Sequence, residues 1–407
     1  MADDATSVRS VDQRAERLRP FGATIFSEIT GLARAHGAVN LGQGFPDEDG
    51  PAILKDAAAR ALREEHNQYA PLGGVPAFAE QIARRARLGR AVDPATEVTV
   101  TSGCTEAIAA TMLGLVNPGD EVVLFQPFYD SYRACLAMAG ATARYVTLRR
   151  DGGRFTFDPD ELRALCGART RAILVNSPHN PTGTVFSREE LSVIAEVCRE
   201  RDIVAVCDEV YEHLVYDGEH VSLASLPGMA ERSVVCSSLG KTFAMTGWKI
   251  GWTVASPELT AAIRSAHQFL VFSVATPLQH AAAAALGSDE AWAWVEAMRE
   301  RYRGNRDALS AALSGIGFDV CGAEAGYFVM AGTGPIAEKL GVQDGGWRDT
   351  DLCKRMIEEA GVACIPPSVF YADPDDGNGH GHLRFAFCKR REVLDEAIRR
   401  LRRWLGG

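Results

Sequence analysis

Between positions 98 and 254, short apolar runs alternate with segments of helical periodicity, and few folds tolerate that rhythm. Strand-like runs span 98–101, 121–125, 143–147, 171–175, 203–207 and 233–237, with helix-like segments such as 130–139, 159–164 and 188–200 between them. A strand with one wet face alternates apolar and polar side chains, whereas a run that is mostly apolar throughout has both faces covered. The pattern therefore predicts an α/β fold with a mostly parallel sheet between helices. Ligands of such sheets bind beyond the C-terminal ends of the strands.

Past Pro257 the texture changes. Long helical segments (258–269, 277–286, 289–313) lead to strand-like pieces near 318–320, 327–331, 362–365 and 383–387 and a closing helix at 393–405. This predicts a smaller α+β domain. The expected division is a flexible arm at 1–19, a small domain made of 20–50 with 296–407, and a large domain at 51–295. With 407 residues, 46% of them hydrophobic, the chain can fill such cores. A net charge of −10 argues against a broad nucleic-acid surface. Ten cysteines without CxxC or zinc-like spacing predict reduced thiols in a cytoplasmic protein and no metal site. No run of 18 uncharged apolar residues predicts a membrane span.

The chemistry-bearing residues fall where strands end. Lys241 lies in a Ser/Gly/Thr-rich turn between the apolar runs Val234-Val235-Cys236 and Ile250 to Val254, a setting for a reactive amine rather than a surface lysine. Asp208 follows the apolar strand Val204 to Cys207, and a carboxylate there is costly to keep charged without a cationic partner. Ser102-Gly103-Cys104-Thr105 joins a strand to a helix and either aims backbone N–H groups at an anion or simply caps the helix. Arg384, between Leu383 and Phe385, needs an anion: a structural salt bridge or a ligand carboxylate. His179 and His213 are read as ordinary hydrogen-bonders. His380-Gly381-His382 lacks the third ligand a metal needs. Walker and GxGxxG loops are absent.

Together with Asn180-Pro181-Thr182-Gly183, Asp208-Glu209-Val210-Tyr211 and Ser238-Leu239-Gly240-Lys241, Arg384 completes an ordered set. From Phe21 to Leu405 the chain resembles the class I/II aminotransferases, pyridoxal 5′-phosphate enzymes of fold type I, which implies a sheet of the seven-stranded type in the large domain. Asn40 to Asp47 resembles the branch of kynurenine, methionine and N-succinyldiaminopimelate aminotransferases. The resemblance implies that Lys241 bonds the cofactor and moves the substrate proton, that Asp208 pairs with the ring nitrogen, and that Tyr211 and Asn180 bond its phenolic oxygen. Phe128 would stack on the ring. Gly103, Cys104, Thr105, Ser238 and Lys249 would hold the phosphate, with Tyr69 reaching that of a neighbouring subunit in a homodimer. Arg384, Gly44 and Asn180 would hold the substrate carboxylate. Phe26 stands where kynurenine aminotransferases carry a tryptophan at the side-chain pocket, a departure from the aromatic-substrate pattern. The implied activity moves the amino group of an L-amino acid to a 2-oxo acid. The alternative is an eliminating lyase or a carbon-bond-forming enzyme on the same scaffold.

Overall fold

The computed structural model describes residues 12–341 and 348–406. Seven strands form the central sheet: Val98–Thr101 (β1), Glu121–Gln126 (β2), Thr142–Thr147 (β3), Thr170–Asn176 (β4), Val204–Asp208 (β5), Ser233–Ser238 (β6) and Gly251–Ala255 (β7). Their spatial order is β1-β7-β6-β5-β4-β2-β3. From β6 across to β3 every neighbouring pair is parallel. Only β7 runs against its neighbours β1 and β6. The α/β architecture expected from the apolar runs is thus present.

Both sheet faces are dry. Val123 and Phe125 pack into one hydrophobic cluster while Val122 and Leu124 pack into another. Helices Gly103–Leu115, Ser131–Ala139 and Pro257–Leu270 cover the second face. Ala52–Arg63, Pro76–Arg85, Arg188–Arg201 and Thr276–Leu286 are among those covering the first. Helix Arg188–Arg201 starts on a reciprocal capping box, Ser187 with Glu190, which satisfies two otherwise unpaired N–H groups.

The 28-residue helix Asp289–Ile316 links the sheet to a third cluster. Its Ala291 and Val295 belong to the core beside the sheet, whereas Met298, Tyr302 and Leu309 belong to a cluster shared with residues from 29–41 and 318–401. There, strands Asp319–Val320, Phe328–Gly332 and His382–Ala386 form a small antiparallel sheet against helix Arg391–Leu405. Val210, Tyr211 and Leu214 join this cluster from the sheet side.

Some local expectations change. Lys241 sits in one turn of helix, Leu239–Thr242, rather than in a bare turn. Only Val362–Ala363 of the 362–365 segment is a strand, with Ile365 bridging Arg384 singly. A hairpin, Arg149–Asp151 with Arg154–Thr156, turns at Gly152-Gly153, where both φ angles are positive. Of the expected arm, 1–11 lie outside the described residues. In 12–19 the short turn Glu16–Leu18 lies against helix Ser131–Ala139.

Candidate active site

The C-terminal ends of β4, β5 and β6 open into a cavity of about 320 Å³. It is lined by Phe26, Gly44, Gly103, Cys104, Thr105, Asn180, Asp208, Tyr211, Ser238, Lys241, Lys249 and Arg384, all anticipated from the sequence. Sheet register explains part of this convergence. Asn176 pairs with Asp208 across β4 and β5, and Ser238 and Thr101 both pair with Gly251 of β7.

Asp208 is buried at its strand end. Burial raises its pKa, opposed by the Tyr132 hydroxyl, the Val210 N–H, the Cys104 thiol and the charge of Lys241. Behind the same turn, Glu209 accepts from the Ser222 hydroxyl (2.7 Å) and lies 3.0 Å from Nε2 of buried His220. Glu212 accepts from Ser237 (3.0 Å). Those bonds pin the segment carrying Asp208 and Tyr211.

Lys241 faces Tyr211 and Tyr327, its Nζ 5.8 and 5.4 Å from their ring centroids. Burial lowers its pKa, and the nearby positive charges of Lys249 and Arg384 lower it further against Cys388 and Asp208. The result favours a neutral amine.

At the start of helix Gly103–Leu115 the structure makes room for an anion. A Cβ on Gly103 would lie 3.2 Å from Lys249 Cε and Nζ, and one on Gly251 would lie 2.5 Å from the Gly103 carbonyl carbon. Two glycines therefore let β7, the helix N-terminus and a lysine close on one spot beside Ser238 and Thr105. This cradle, the neutral amine and the buried carboxylate fit the phosphate, aldehyde and ring nitrogen of pyridoxal phosphate.

Arg384 is 1% exposed. Its Nη1 donates to Asn180 Oδ1 (3.0 Å) and its Nη2 to the Gly42 carbonyl (2.8 Å), and its Nε is buried without a partner among the described residues. Phe328, Phe370 and Phe26 surround the guanidinium, 4.0, 5.1 and 5.3 Å from their ring centroids. No carboxylate pairs with it among the described residues, so the salt-bridge alternative is not realised. Desolvation pulls its pKa down to about 10. A carboxylate-bearing ligand is what this group lacks.

Two anticipated residues stand elsewhere. Phe128 is buried away from the cavity and stacks on Tyr145, centroids 5.6 Å apart. Its neighbour Tyr129 lines the cavity instead. Tyr69 is 80% exposed and meets Phe272 edge-on, outside this chain's own cavity. Tyr132, Asn176 and Phe328 line the cavity without having been singled out. Asn176 ties the Asn180 loop to β5, accepting from the Asn180 N–H (2.8 Å) and donating to the Asp208 carbonyl (3.0 Å). The signal for Tyr129 and Tyr132 was present, an aromatic run just past the end of β2. His179 is buried on Thr182 (2.8 Å), its pKa pushed down to about 3 by burial, and His213 rests on Trp292. No helix among the described residues is long and apolar enough to cross a membrane.

Known proteins share this arrangement. The chain is 49% identical over 395 residues to the probable N-succinyldiaminopimelate aminotransferase of Mycobacterium tuberculosis, covering 95% of this chain and 97% of that one. It is 38% identical over 389 residues to the methionine aminotransferase of Escherichia coli, covering 95% and 97%. The solved M. tuberculosis N-succinyldiaminopimelate aminotransferase superposes with a TM-score of 0.89 at 48% identity, covering 95% of this chain and 99% of that structure. The profile of the family described as aminotransferase class I and II matches residues 37–401, and the chain belongs to that family of pyridoxal-phosphate-dependent enzymes.

Proposed function

We propose that this aminotransferase takes its amino group from an L-amino acid of the N-succinyldiaminopimelate type and exchanges it with a 2-oxo acid, at a site assembled by two copies of the chain in the cytoplasm. The observation that carries the amino-acid reading is Arg384, a buried guanidinium without an anion, sharing one cavity with Lys241 and Asp208. The donor type is supported by the 49% identity over nearly the whole length. The second copy is supported by Tyr69, Phe269, Leu270 and Phe272, all exposed. The division into 51–295 and a body of 20–50 with 296–407 is supported by the separate cluster around Met298 and Leu309.

Bound pyridoxal phosphate supplies an aldehyde that accepts amines and a ring that accepts an electron pair from the substrate Cα. The chain's residues do the rest. Lys249, Ser238 and the first N–H groups of helix Gly103–Leu115 hold the phosphate. Asp208 would take the ring-nitrogen hydrogen bond, and Tyr211 and Asn180 would bond the phenolic oxygen. Arg384 grips the substrate carboxylate through two parallel N–H donors and so fixes the orientation of the Cα–H bond. Lys241, as a neutral amine, would take the proton from Cα at Nζ and return it to C4′ of the cofactor, on the far side of the amine nitrogen.

The test incubates holoenzyme with N-succinyl-LL-diaminopimelate and 2-oxoglutarate and quantifies glutamate by mass spectrometry, with methionine, glutamine and kynurenine as competitors. Glutamate formed in equal amount to donor consumed, at the highest kcat/KM for the succinylated donor, is the expected result. Ammonia release in place of glutamate overturns the transfer reading. A higher kcat/KM for methionine or kynurenine overturns the donor assignment alone.

A further inference from the structure

Both oxygens of Asp208 are occupied by donors from the chain itself. Oδ2 accepts from the Tyr132 hydroxyl at 2.7 Å. Oδ1 accepts from the Val210 N–H at 3.3 Å and from the Cys104 thiol at 3.6 Å. The backbone donor comes with the turn, but the two side-chain donors do not. A phenylalanine at 132 would fill the same space in the cluster around Leu136 and Leu174, and an alanine at 104 would serve the helix start equally well.

The other titratable groups near Asp208 are Tyr129, Tyr211, Lys241 and the adjoining Cys207, with Cys236 beside Cys104. Of these only Lys241 can carry positive charge, and its surroundings favour the neutral amine. No cation forms an ion pair with Asp208 among the described residues, and the charge of Lys241, which favours the carboxylate, is itself opposed by burial. Hydrogen-bond donors therefore carry much of the work of keeping it ionised, because a buried carboxylate without them protonates instead.

We infer that Tyr132 and Cys104 are positioning residues that keep Asp208 ionised in the empty protein, and thereby set the acid limit below which the site no longer takes up the cofactor ring. The inference rests on the assignment of Asp208 to the ring nitrogen. Tyr132 provides the shorter and stronger bond. Cys104 provides a weak thiol donor at the cavity wall and is the one cysteine among the described residues that is not fully buried.

The test measures binding rather than turnover. Cofactor-free protein is titrated with 4-deoxypyridoxine 5′-phosphate, which keeps the ring nitrogen and phosphate but cannot bond Lys241, across the acid-to-neutral range. Tyr132→Phe is expected to match the wild type at the alkaline end and to lose affinity at a pH higher by roughly one to two units, the effect of removing one hydrogen bond to a charged acceptor. Cys104→Ala shifts the acid limb the same way by less, and Cys104→Ser, a better donor, brings it back to the wild-type position or below. A limb that stays in place in Tyr132→Phe and Cys104→Ala overturns the inference. So does an affinity reduced by one factor at every pH, the signature of a merely structural role. Asp208→Asn separates the two levels: if it keeps the wild-type limb, Asp208 does not meet the ring nitrogen. If it abolishes the limb while the Tyr132 and Cys104 variants leave it in place, only the positioning role falls.

Discussion

Replacing Arg384 with methionine separates a ligand-binding guanidinium from a structural one. In the folded protein this side chain is 1% exposed and its two hydrogen bonds reach neutral acceptors, Asn180 Oδ1 and the Gly42 carbonyl. A buried ion with no counter-ion carries an effective desolvation cost of several kcal/mol, offset here by those bonds and by the faces of Phe328 and Phe370. Methionine fills similar space and removes that cost, while leaving two acceptors short of a donor at about 1 kcal/mol each. The net change in stability is expected within about 2 kcal/mol of zero. Breaking a buried structural salt bridge would instead cost about 3–5 kcal/mol. Activity responds differently. Two charge-assisted bonds to a substrate carboxylate, at about 1.5–3 kcal/mol each, amount to roughly 10²–10⁴ in kcat/KM. Urea denaturation and steady-state kinetics on the same preparation give both numbers. A stability loss of salt-bridge size, or a kcat/KM within about tenfold of the wild type, would refute the reasoning.

Gly251→Ala places a methyl 2.5 Å from the Gly103 carbonyl carbon and 2.7 Å from the Cys104 nitrogen, both backbone. It should cost about 1–3 kcal/mol of stability and weaken phosphate uptake, read by inorganic phosphate competition against the bound cofactor. Lys249→Gln removes a positive charge that lowers the Lys241 pKa. The pH midpoint for covalent attachment of pyridoxal phosphate, followed by near-ultraviolet absorbance, should therefore move upward; a downward shift contradicts the electrostatic account. His220 is buried beside Glu209, whose charge and hydrogen bond raise the histidine pKa above 6.5 against the cost of burial. A raised histidine contributes stability that is fully present below its unfolded pKa and is lost as pH rises through the folded value. His220→Ala should cost about 3–5 kcal/mol in acid solution and progressively less on the alkaline side, measured as urea midpoints against pH.

Legibility in the sequence followed contrast with surroundings. Asp208, Lys241 and Arg384 each interrupt apolar strands or strand ends, and a charge there demands a reason that composition alone exposes. The sheet was legible because β2, β4, β5 and β6 each carry an unbroken apolar run, such as Ala172 to Val175 in β4 and Val234 to Cys236 in β6. What stayed hidden has no such contrast. Phe128 and Tyr129 are both aromatic and lie beyond the end of β2, where the two-residue alternation of a strand no longer says which one faces the cavity. Tyr132 and Cys104 read as ordinary helix residues until folding brings them from separate helices onto Asp208. Gly251 carries no signal by itself either. Its meaning comes from β7 running antiparallel between β1 and β6, which sets it against Gly103.

The same contrast explains how an acidic chain can place three cationic side chains, Lys241, Lys249 and Arg384, around one cavity. Asp208 is the only carboxylate lining that cavity among the described residues, and it is already bonded to Tyr132 and Cys104. The site is therefore short of negative charge until ligands bring it. A phosphate beside Lys249 and a carboxylate beside Arg384 would each offset a positive charge that lowers the Lys241 pKa. With both charges offset, the Lys241 amine, once freed from the cofactor, would be a stronger proton acceptor toward the Cα–H bond. A pH profile of proton abstraction measured with and without a saturating carboxylate ligand should show the midpoint displaced upward by the ligand. A midpoint that does not move would mean that Arg384 and Lys241 act independently.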